Sequence, residues 1–357
     1  MFKLLDRYII RKFLGTYCFS LALILAITVM FDINEKIDAF QKAPLKETIV
    51  DYFLNFLPYF AMQFSPLFVF ISVIFFTSKL AGNSEIIAMF SSGVSFRRLL
   101  RPYMISAAVI AAATWILSAY IIPPANIKRI EYTNTYVKDK SVSVTSNVQM
   151  KIGENQVVFL GDFNTMYNRG SRFSLDTFEG QRLKSRLTAG IASWHGNYSW
   201  RLRNFTERIF ADDRETVRFG SQLDTIIVLQ PQDIIISQQD QEKMTSPQLA
   251  DYIEQQKKRG VANVKQFEIE YHRRYASCAA AFILTLIGLC LSFRKVKGGM
   301  GLNIGIGLVL SFTYILFMGV TQTFALSGLT SPAVAMWIPN IVYSLIALIL
   351  VFRANRR

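Results

Sequence analysis

Cysteine and histidine are scarce in this chain, which has three cysteines and two histidines among 357 residues. Cys18, Cys278 and Cys290 all lie within apolar runs, and no two of them have the spacing of a disulfide framework or a metal site. We interpret them as small apolar packing residues. The sequence therefore predicts no metal centre, and any domain outside the cytoplasm has to be stabilised by its hydrophobic core alone.

Sequence motifs of enzymes are missing as well. The chain contains no G-x-x-x-x-G-K-[ST] phosphate loop, no H-E-x-x-H and no G-x-S-x-G. The glycine-rich stretch 298–307 lacks the basic residue and the preceding strand of a phosphate loop, so we expect Gly301 and Gly305 to allow close approach of helices. We expect no catalytic residue, no cofactor and no nucleotide site in this chain.

Charged residues are also few, at 18% of the chain against about 25% in an ordinary soluble domain. Hydrophobic residues make up 52% and the mean hydropathy is +0.29, which favours a surface that faces lipid. A helix needs about 20 apolar residues to cross the hydrocarbon core of a bilayer. Six stretches are predicted to do so: 13–31, 53–78, 103–122, 276–293, 302–325 and 334–352.

The net charge of +14 arises largely from basic residues on one side of these spans. Because positive residues concentrate in cytoplasmic segments, both termini are predicted to be cytoplasmic. The excess charge is therefore explained by topology, and we expect no nucleic-acid partner. Fourteen of the 39 basic residues lie on that side, opposed only by Asp6 and Glu85: Lys3, Arg7, Arg11, Lys12, Lys79, Arg97, Arg98, Arg101, Arg294, Lys295, Lys297, Arg353, Arg356 and Arg357.

The stretch 123–265 separates two membrane halves, 1–122 and 266–357, and has a different character. Short segments of alternating polar and apolar residues recur in it between Gly, Asn, Asp and Ser. Such segments predict an antiparallel sandwich, roll or open barrel. The clearest hairpin is 192–205, with its turn predicted at His195-Gly196-Asn197 and two tryptophans, Trp194 and Trp200, across the turn from each other.

A helix is predicted at the end of this insert, over 246–259. Ser246 has the position of its N-cap, Pro247 that of the first helical residue, and Gly260 that of the stop signal. The polar stretch 265–275 is predicted to be a helical stalk that leads into the fourth span.

The loop after the second span contains a short amphipathic segment, 83–92. Asn83 and Ser84 are placed to cap a helix with Glu85 in its first turn, and Gly93 is placed to end it. Ser95 is predicted to cap the next helix. An exposed apolar face that includes Met89 and Phe90 is typical of a docking surface for a soluble partner, and equally of a helix lying in lipid headgroups.

Five segments, taken together and in this order, resemble the LptF/LptG (YjgP/YjgQ) permeases of the lipopolysaccharide-export ABC transporter, over the length of the chain. The opening L-D-R-Y-I is more similar to LptG than to LptF. The five segments are Leu5–Ile9, Ser84–Gly93, Ser246–Ile253, Glu268–Ala276 and Ala335–Asn340.

This resemblance implies a permease of the Gram-negative inner membrane, with three spans on each side of a periplasmic β-jellyroll. It implies a heterodimer with a paralogous permease, a cytoplasmic LptB-like ATPase homodimer, and LptC-like and LptA-like bridge proteins. Lipopolysaccharide would be extracted from the outer leaflet of the inner membrane and passed to that bridge. The segment 83–92 would then be a coupling helix, with Glu85, Met89 and Phe90 against the ATPase.

One departure from the family concerns charge at the end of the first span, where 32–38 is acidic on balance. A phosphate group would be repelled by Asp32. The remaining cations for a lipid headgroup are Lys36, Lys128 and Arg129, which are equally well explained as membrane anchors.

The lipid's acyl chains would need an apolar cavity between two subunits. Its predicted walls are Phe31, Phe64, Phe68 and Phe317, for which core packing or contact with bulk lipid is an equal alternative.

Two other function classes fit the residues. One is a mechanotransmission subunit of an ABC transporter, which has four spans and carries no substrate through the membrane. The other is a scaffold that binds periplasmic partners through sheet edges.

Overall fold

The computed structural model describes residues 4–137, 144–152, 155–164, 166–180, 182–211, 214–234, 240–258, 264–294 and 299–355. The chain divides into two compact units. The helical unit comprises Met1–Val137, Glu242–Pro247 and Glu268–Arg357, and the β unit comprises Lys138–Gln241 and Gln248–Phe267.

The chain begins with seven α-helices, joined in places by short π-helical turns. These turns are Thr48–Phe53, Leu117–Ile121 and Thr133–Val137. The helices are α1 (Leu4–Glu35), α2 (Ile37–Lys42), α3 (Leu45–Glu47), α4 (Leu54–Gly82), α5 (Glu85–Ser91), α6 (Phe96–Ile116) and α7 (Ile122–Tyr132).

Six further helices follow the sheet described below: α8 (Pro231–Ile234), α9 (Asp240–Lys243), α10 (Ser246–Lys258), α11 (Val264–Ser292), α12 (Gly299–Ser327) and α13 (Pro332–Asn355). In α11 the predicted stalk and the fourth span form one unbroken helix. The predicted end of α10 at Gly260 lies outside the described residues.

Six described helical segments are long and apolar enough to cross a membrane, which confirms the predicted number of spans. The second of them continues through Pro58 and Pro66 as α4. The segments are Leu4–Glu35, Leu45–Gly82, Phe96–Val137, Val264–Ser292, Gly301–Ser327 and Pro332–Ala354.

Glycines allow close helix contacts in the helical unit, but at positions other than those predicted. A Cβ atom on Gly307 would come within 2.3 Å of Ile74 Cδ1, and one on Gly288 within 3.0 Å of Val73 Cγ1. For Gly301 and Gly305, in contrast, the described residues outside the local helix backbone place no atom within 4 Å of an added Cβ. The prediction for these two was wrong for contacts within the chain, because small residues in an apolar run do not reveal which side meets a neighbour.

The β unit contains six antiparallel strands in one sheet, ordered β1 to β6. Every described strand pairs with the next along the chain, so the order is a meander of hairpins. The predicted antiparallel insert is confirmed, while the crossing connections of a jellyroll are not found between the described strands. The strands are β1 (Val144–Lys151), β2 (Gln156–Asn164), β3 (Arg169–Glu179), β4 (Arg182–Gly196), β5 (Ser199–Ala211) and β6 (Arg214–Ile226).

A row of irregular residues crosses the sheet from β2 to β5. Gly161, Arg172, Gly190 and Asn204 lie opposite one another in the register of the four strands. Arg172 and Asn204 both have a φ of +52°, a left-handed backbone that is uncommon for residues with a side chain. The glycines on the neighbouring strands leave room for it: a Cβ on Gly161 would overlap the side chain of Arg172.

This row shifts the burial pattern of each strand by one residue. Leu187 and Ala189 of β4 are buried before the row and Ala192 after it, although residues three apart in a regular strand point to opposite faces. Leu202 and Phe205 of β5 show the same shift. The pairing register continues across the row, with no extra residue at this point in any of the four strands. Because all four strands change together, the same face of the sheet stays buried on both sides of the row.

The hairpin between β4 and β5 turns at Asn197 and Tyr198, whose φ angles are +45° and +60°. The predicted turn began two residues too early, because β4 continues through His195 with a bulge before Gly196. The facing of Trp194 and Trp200 was predicted correctly.

Trp200 is central to the core of the β unit. Its side chain is fully buried, and the indole N–H donates a hydrogen bond of 2.9 Å to the carbonyl oxygen of Leu229. Leu229, Ile227 and Ile234 belong to the segment after β6 and are buried against the same core. The segment after β6 therefore contributes side chains to the core of the β unit.

Gly220→Ala is expected to destabilise the β unit by about 1–3 kcal/mol, because overpacking forces neighbouring side chains to move. A Cβ atom there would lie 2.7 Å from Cε1 of the buried Phe205. Gly190→Ala is the matched control, since its nearest neighbour would be 3.8 Å away. Hydrogen exchange of the β5 and β6 amides in the full chain measures the difference, and equal protection in both variants would contradict it.

Candidate functional site

Helix α5 is held at its end by backbone geometry. Gly93 has a φ of +86°, and its N–H bonds to the carbonyl of Phe90, while the N–H of Val94 bonds to that of Met89. This is a Schellman motif, in which a left-handed residue ends the helix as predicted for Gly93. Ser95 caps α6 as predicted, accepting a hydrogen bond of 3.3 Å from the N–H of Arg98.

The start of α5 differs from the prediction. Ser84 precedes the helix in a left-handed conformation and makes no side-chain cap. The side-chain amide of Asn83 instead donates a hydrogen bond of 3.3 Å to the side-chain oxygen Oε1 of Glu85. Both side chains therefore leave the first backbone N–H groups of α5 without the predicted cap.

Only part of the predicted docking face of α5 is exposed. Ile86 is fully buried, and Met89 and Phe90 are half-buried against the same core, where Phe90 meets Phe293 edge-on. Ile87 is the exposed large apolar side chain of this helix. The spacing of Ile86, Met89 and Phe90 places them on one helical face, and this signal could have identified them as the packing side.

Two contacts that were not predicted join the start of α1 to this region. The Tyr8 hydroxyl donates a hydrogen bond of 3.0 Å to Glu85 Oε2. The Arg98 guanidinium donates two hydrogen bonds, of 2.7 and 2.6 Å, to the two carboxylate oxygens of Asp6. Asp6 is only 4% exposed. No local pattern signals either pair, because the partners are 77 and 92 residues apart.

At the other end of α1, Lys36 is neutralised by its own chain. Its ammonium group forms an ion pair with the buried Asp32 and donates a hydrogen bond of 2.6 Å to the Tyr52 hydroxyl. The lysine predicted to meet a phosphate is therefore already bound to a carboxylate.

Arg129 is enclosed in a similar way. Its guanidinium stacks 4.4 Å above the ring of Tyr59, bonds to Asn126 and forms an ion pair of 3.3 Å with Glu242. The Tyr59 hydroxyl donates to the other carboxylate oxygen of Glu242. Burial raises the pKa of Glu242 above its ordinary value, and the nearby Arg129 acts in the opposite direction.

Lys128, the third predicted cation, is exposed. It lines a shallow cavity of about 350 Å³ together with three carboxylates, those of Glu47, Asp51 and Glu131. An anion approaching Lys128 would also meet these acids. In the part of the chain that the structure describes, no group of three His, Cys, Asp or Glu side chains could hold a metal ion.

The four predicted cavity phenylalanines have different surroundings. Phe31 on α1 is 71% exposed, whereas Phe68 on α4 is buried. Phe64 is half-buried beside Phe60, and Phe317 is half-buried against a core cluster. The four therefore differ in exposure within this chain, and their place in a cavity between two subunits stays a prediction.

Large exposed apolar side chains lie on α1, α12 and α13, with Ile341, Leu345 and Phe352 among those on α13. These residues were missed because a continuous apolar run has no polar face to show which side packs. They include Phe19, Leu23 and Met30 on α1, and Val309, Phe312 and Leu316 on α12.

The five sequence segments that carry the family resemblance contact one another. Tyr8 of the first segment, Leu5–Ile9, bonds to Glu85 of the second, Ser84–Gly93. The Arg274 guanidinium donates to the Ser246 hydroxyl at 3.0 Å, joining the third motif to the fourth. Ser246 is thus bound by an arginine, in addition to starting α10.

The last motif binds the fourth through Asn340. This buried side chain donates a hydrogen bond of 2.8 Å to the carbonyl of Ala276 and accepts one of 2.8 Å from the Tyr314 hydroxyl. The five motifs are therefore structural contacts of the helical unit rather than parts of one pocket.

Glu242→Gln is expected to lower the stability of the protein by about 1–3 kcal/mol, because a charge-assisted hydrogen bond to Arg129 is weakened while the arginine stays enclosed. Thermal unfolding of the full chain in detergent measures the effect. Glu131→Gln, on the exposed side of α7, is the control and should leave the midpoint unchanged. Equal midpoints for the two variants would contradict the structural role of Glu242.

Comparison with known proteins bears on the whole chain. Residues 7–353 match the sequence model of one family, described as lipopolysaccharide export system permease LptF/LptG. A search of curated proteins gave no match. The match covers nearly all of the sequence and both units of the structure, and the family consists of permease subunits rather than enzymes. The chain belongs to the LptF/LptG family of lipopolysaccharide export permeases.

Proposed function

We propose that this chain is one of two permease subunits of an ABC transporter that extracts lipopolysaccharide from the outer leaflet of the inner membrane. A separate cytoplasmic ATPase supplies the energy, and a periplasmic bridge receives the lipid. The observation that carries the proposal is the match of residues 7–353 to this permease family, in a chain with six helical segments long enough to cross a membrane. The exposed apolar faces of α1, α12 and α13 supply surface for bulk lipid, a transported lipid or a second permease.

The orientation follows from the distribution of basic residues. The 14 basic residues named in the sequence analysis lie at the start of α1, between the last turn of α4 and the first turns of α6, after α11 and at the end of the chain, so these segments face the cytoplasm. The contacts of Tyr8 with Glu85 and of Asp6 with Arg98 support placing the start of α1 on the same side of the membrane as α5 and the start of α6. The β unit, inserted after the third span, is then periplasmic.

Helix α5 is the docking site for the ATPase in this proposal. Glu85 offers a half-exposed carboxylate and Ile87 an exposed apolar side chain, on a helix fixed to the core by Ile86. Met89 and Phe90 serve as supports of the helix more than as contact residues. A basic group of the ATPase would have to compete with Tyr8 for Glu85.

The headgroup phosphates would be bound mainly by the paralogous subunit. Lys36 and Arg129 are paired with carboxylates of this chain, and Lys128 lies beside three acids. Of the three predicted headgroup cations, Lys128 is the one that remains exposed and accessible. Lys36 and Arg129 instead stabilise the periplasmic ends of α1 and α7.

The bridge would bind at an edge of the sheet. β6 ends the meander and carries exposed apolar side chains, among them Phe219, which is 80% exposed. An unpaired strand edge is a template for adding a strand from another protein. This supports LptC-like and LptA-like partners for the β unit.

The presence of six spans counts against the four-span mechanotransmission class. The scaffold class remains distinguishable by experiment, because a scaffold needs no ATPase. Isolation of the native complex with an ATPase and bound lipopolysaccharide would favour the transporter.

Glu85→Ala is expected to weaken association with the ATPase or its coupling, because the charged contact on α5 is removed. Pull-down of the ATPase and lipid-dependent ATP hydrolysis are the measurements, and Asp38→Ala on the exposed side of α2 is the control. Unchanged binding together with unchanged lipid-dependent hydrolysis would rule out the docking role of Glu85.

A cysteine at Leu316 is expected to cross-link to the paralogous permease, since this side chain on α12 is exposed. The three native cysteines are first replaced by alanine, and single cysteines are placed along the first span of the partner. Leu284→Cys, at a fully buried position, is the control. The proposed dimer would be contradicted if Leu316→Cys formed no cross-link with any of the cysteines along the partner's first span.

A further inference from the structure

The first motif of the sequence, Leu5–Ile9, has no part in the proposed function so far. Within it Asp6 is buried, and both of its carboxylate oxygens accept hydrogen bonds from Arg98. A buried carboxylate is costly unless it is paired, and a bidentate guanidinium is the geometrically specific partner for it. Arg98 lies in the first turn of α6, directly after the Ser95 cap.

The same segment of α1 also binds α5. The Tyr8 hydroxyl bonds to Glu85, the first residue of that helix, and the fully buried Ile9 packs in the core cluster that contains Ile86 and Phe96. The start of α1 is thus tied to both ends of the segment 85–98: at its beginning through Tyr8 and at its end through Asp6. Movement of α5 relative to α6 would strain at least one of these two ties.

Stability alone is a weak reason for the two ties. A partly exposed hydrogen bond such as that of Tyr8, which is 39% exposed, contributes little to folding. A buried ion pair can often be replaced by apolar residues without loss of stability. What both ties do provide is a fixed position of α1 relative to α5, the helix that would receive the ATPase.

Helix α1 is long enough to transmit a movement of α5 from one side of the membrane to the other. It is a single helix of 32 residues without proline, from Leu4 to Glu35. At a rise of 1.5 Å per residue it is about 46 Å long, enough to cross the bilayer. Near its far end lies Phe31, which is 71% exposed.

We propose that Asp6 and Tyr8 are positioning residues for energy coupling: they lock the start of α1 to the docking helix α5 and to α6, so that ATPase movement displaces α1. The inference rests on the proposed function, because it takes α5 as the ATPase site. It adds that α1 is a lever driven directly by that site, rather than only a wall of the lipid cavity.

The test uses the full chain, assembled with its paralogous permease and the ATPase in lipid nanodiscs. The native cysteines are replaced by alanine, and Phe31→Cys reports on the far end of α1 through its rate of maleimide labelling. Labelling is compared without nucleotide and with ATP and vanadate. Lipopolysaccharide extracted per ATP hydrolysed is measured on matched samples that carry the same variants but keep Phe31.

In the reference complex the labelling rate should change with nucleotide. Asp6→Asn and Tyr8→Phe should abolish most of that change, and should lower the lipid extracted per ATP by about five-fold or more, as expected for a lost coupling free energy. ATPase pull-down should remain. The exchange Asp6→Arg with Arg98→Asp restores the pair and should recover the ratio, whereas Asp38→Asn should leave it unchanged.

A purely structural role would lower yield, hydrolysis and extraction together and leave the ratio of lipid to ATP unchanged, which would overturn the proposal. Should Asp6→Asn not fold, Tyr8→Phe decides the question, because it removes one hydroxyl group from a partly exposed residue. A normal nucleotide response and ratio in Tyr8→Phe and in folded Asp6→Asn would overturn the lever while leaving the transporter function intact. A reference complex that binds no ATPase would instead overturn the proposed function, and the lever with it.

Discussion

Hydrocarbon offers no water to backbone amide and carbonyl groups, so a chain crosses a bilayer as helices that satisfy these groups internally. This constraint organises the whole protein. Each of the six helical segments contains an 18-residue apolar stretch with at most two charged side chains, and ion pairs such as Asp6 with Arg98 and Arg129 with Glu242 lie outside these stretches. The antiparallel strands, whose backbone pairing is between segments, form a separate unit.

Polar side chains inside the helical unit act as connections between distant segments. Asn340 links α13 to α11 and α12, and the Arg274 guanidinium links α11 to the start of α10. In an apolar environment each such bond is directional where packing of aliphatic side chains is not. This explains in physical terms why the motifs that identify the family are mostly contacts, and why functional chemistry does not have to reside in any one of them.

The β unit meets a different requirement. With no cysteine, it has to enclose a core using one described sheet. The row of Gly161, Arg172, Gly190 and Asn204 contributes to this, since the change in burial pattern occurs on four neighbouring strands together and the same face stays inward. The segment with Leu229 then completes the core over Trp200.

The sequence by itself determined the six spans, the antiparallel insert, the end of the loop helix at Gly93 and the facing of Trp194 and Trp200. These depend on hydrophobic run length, alternation and turn residues, which are local in the chain. Only the tertiary structure decided that Arg129 pairs with Glu242, that Phe68 is buried while Phe31 is exposed, and that Asp6 binds Arg98. The physical reason is that a uniformly apolar helix carries no periodic signal of its packing side, and that a charge finds its partner through the folding of segments far apart in the sequence.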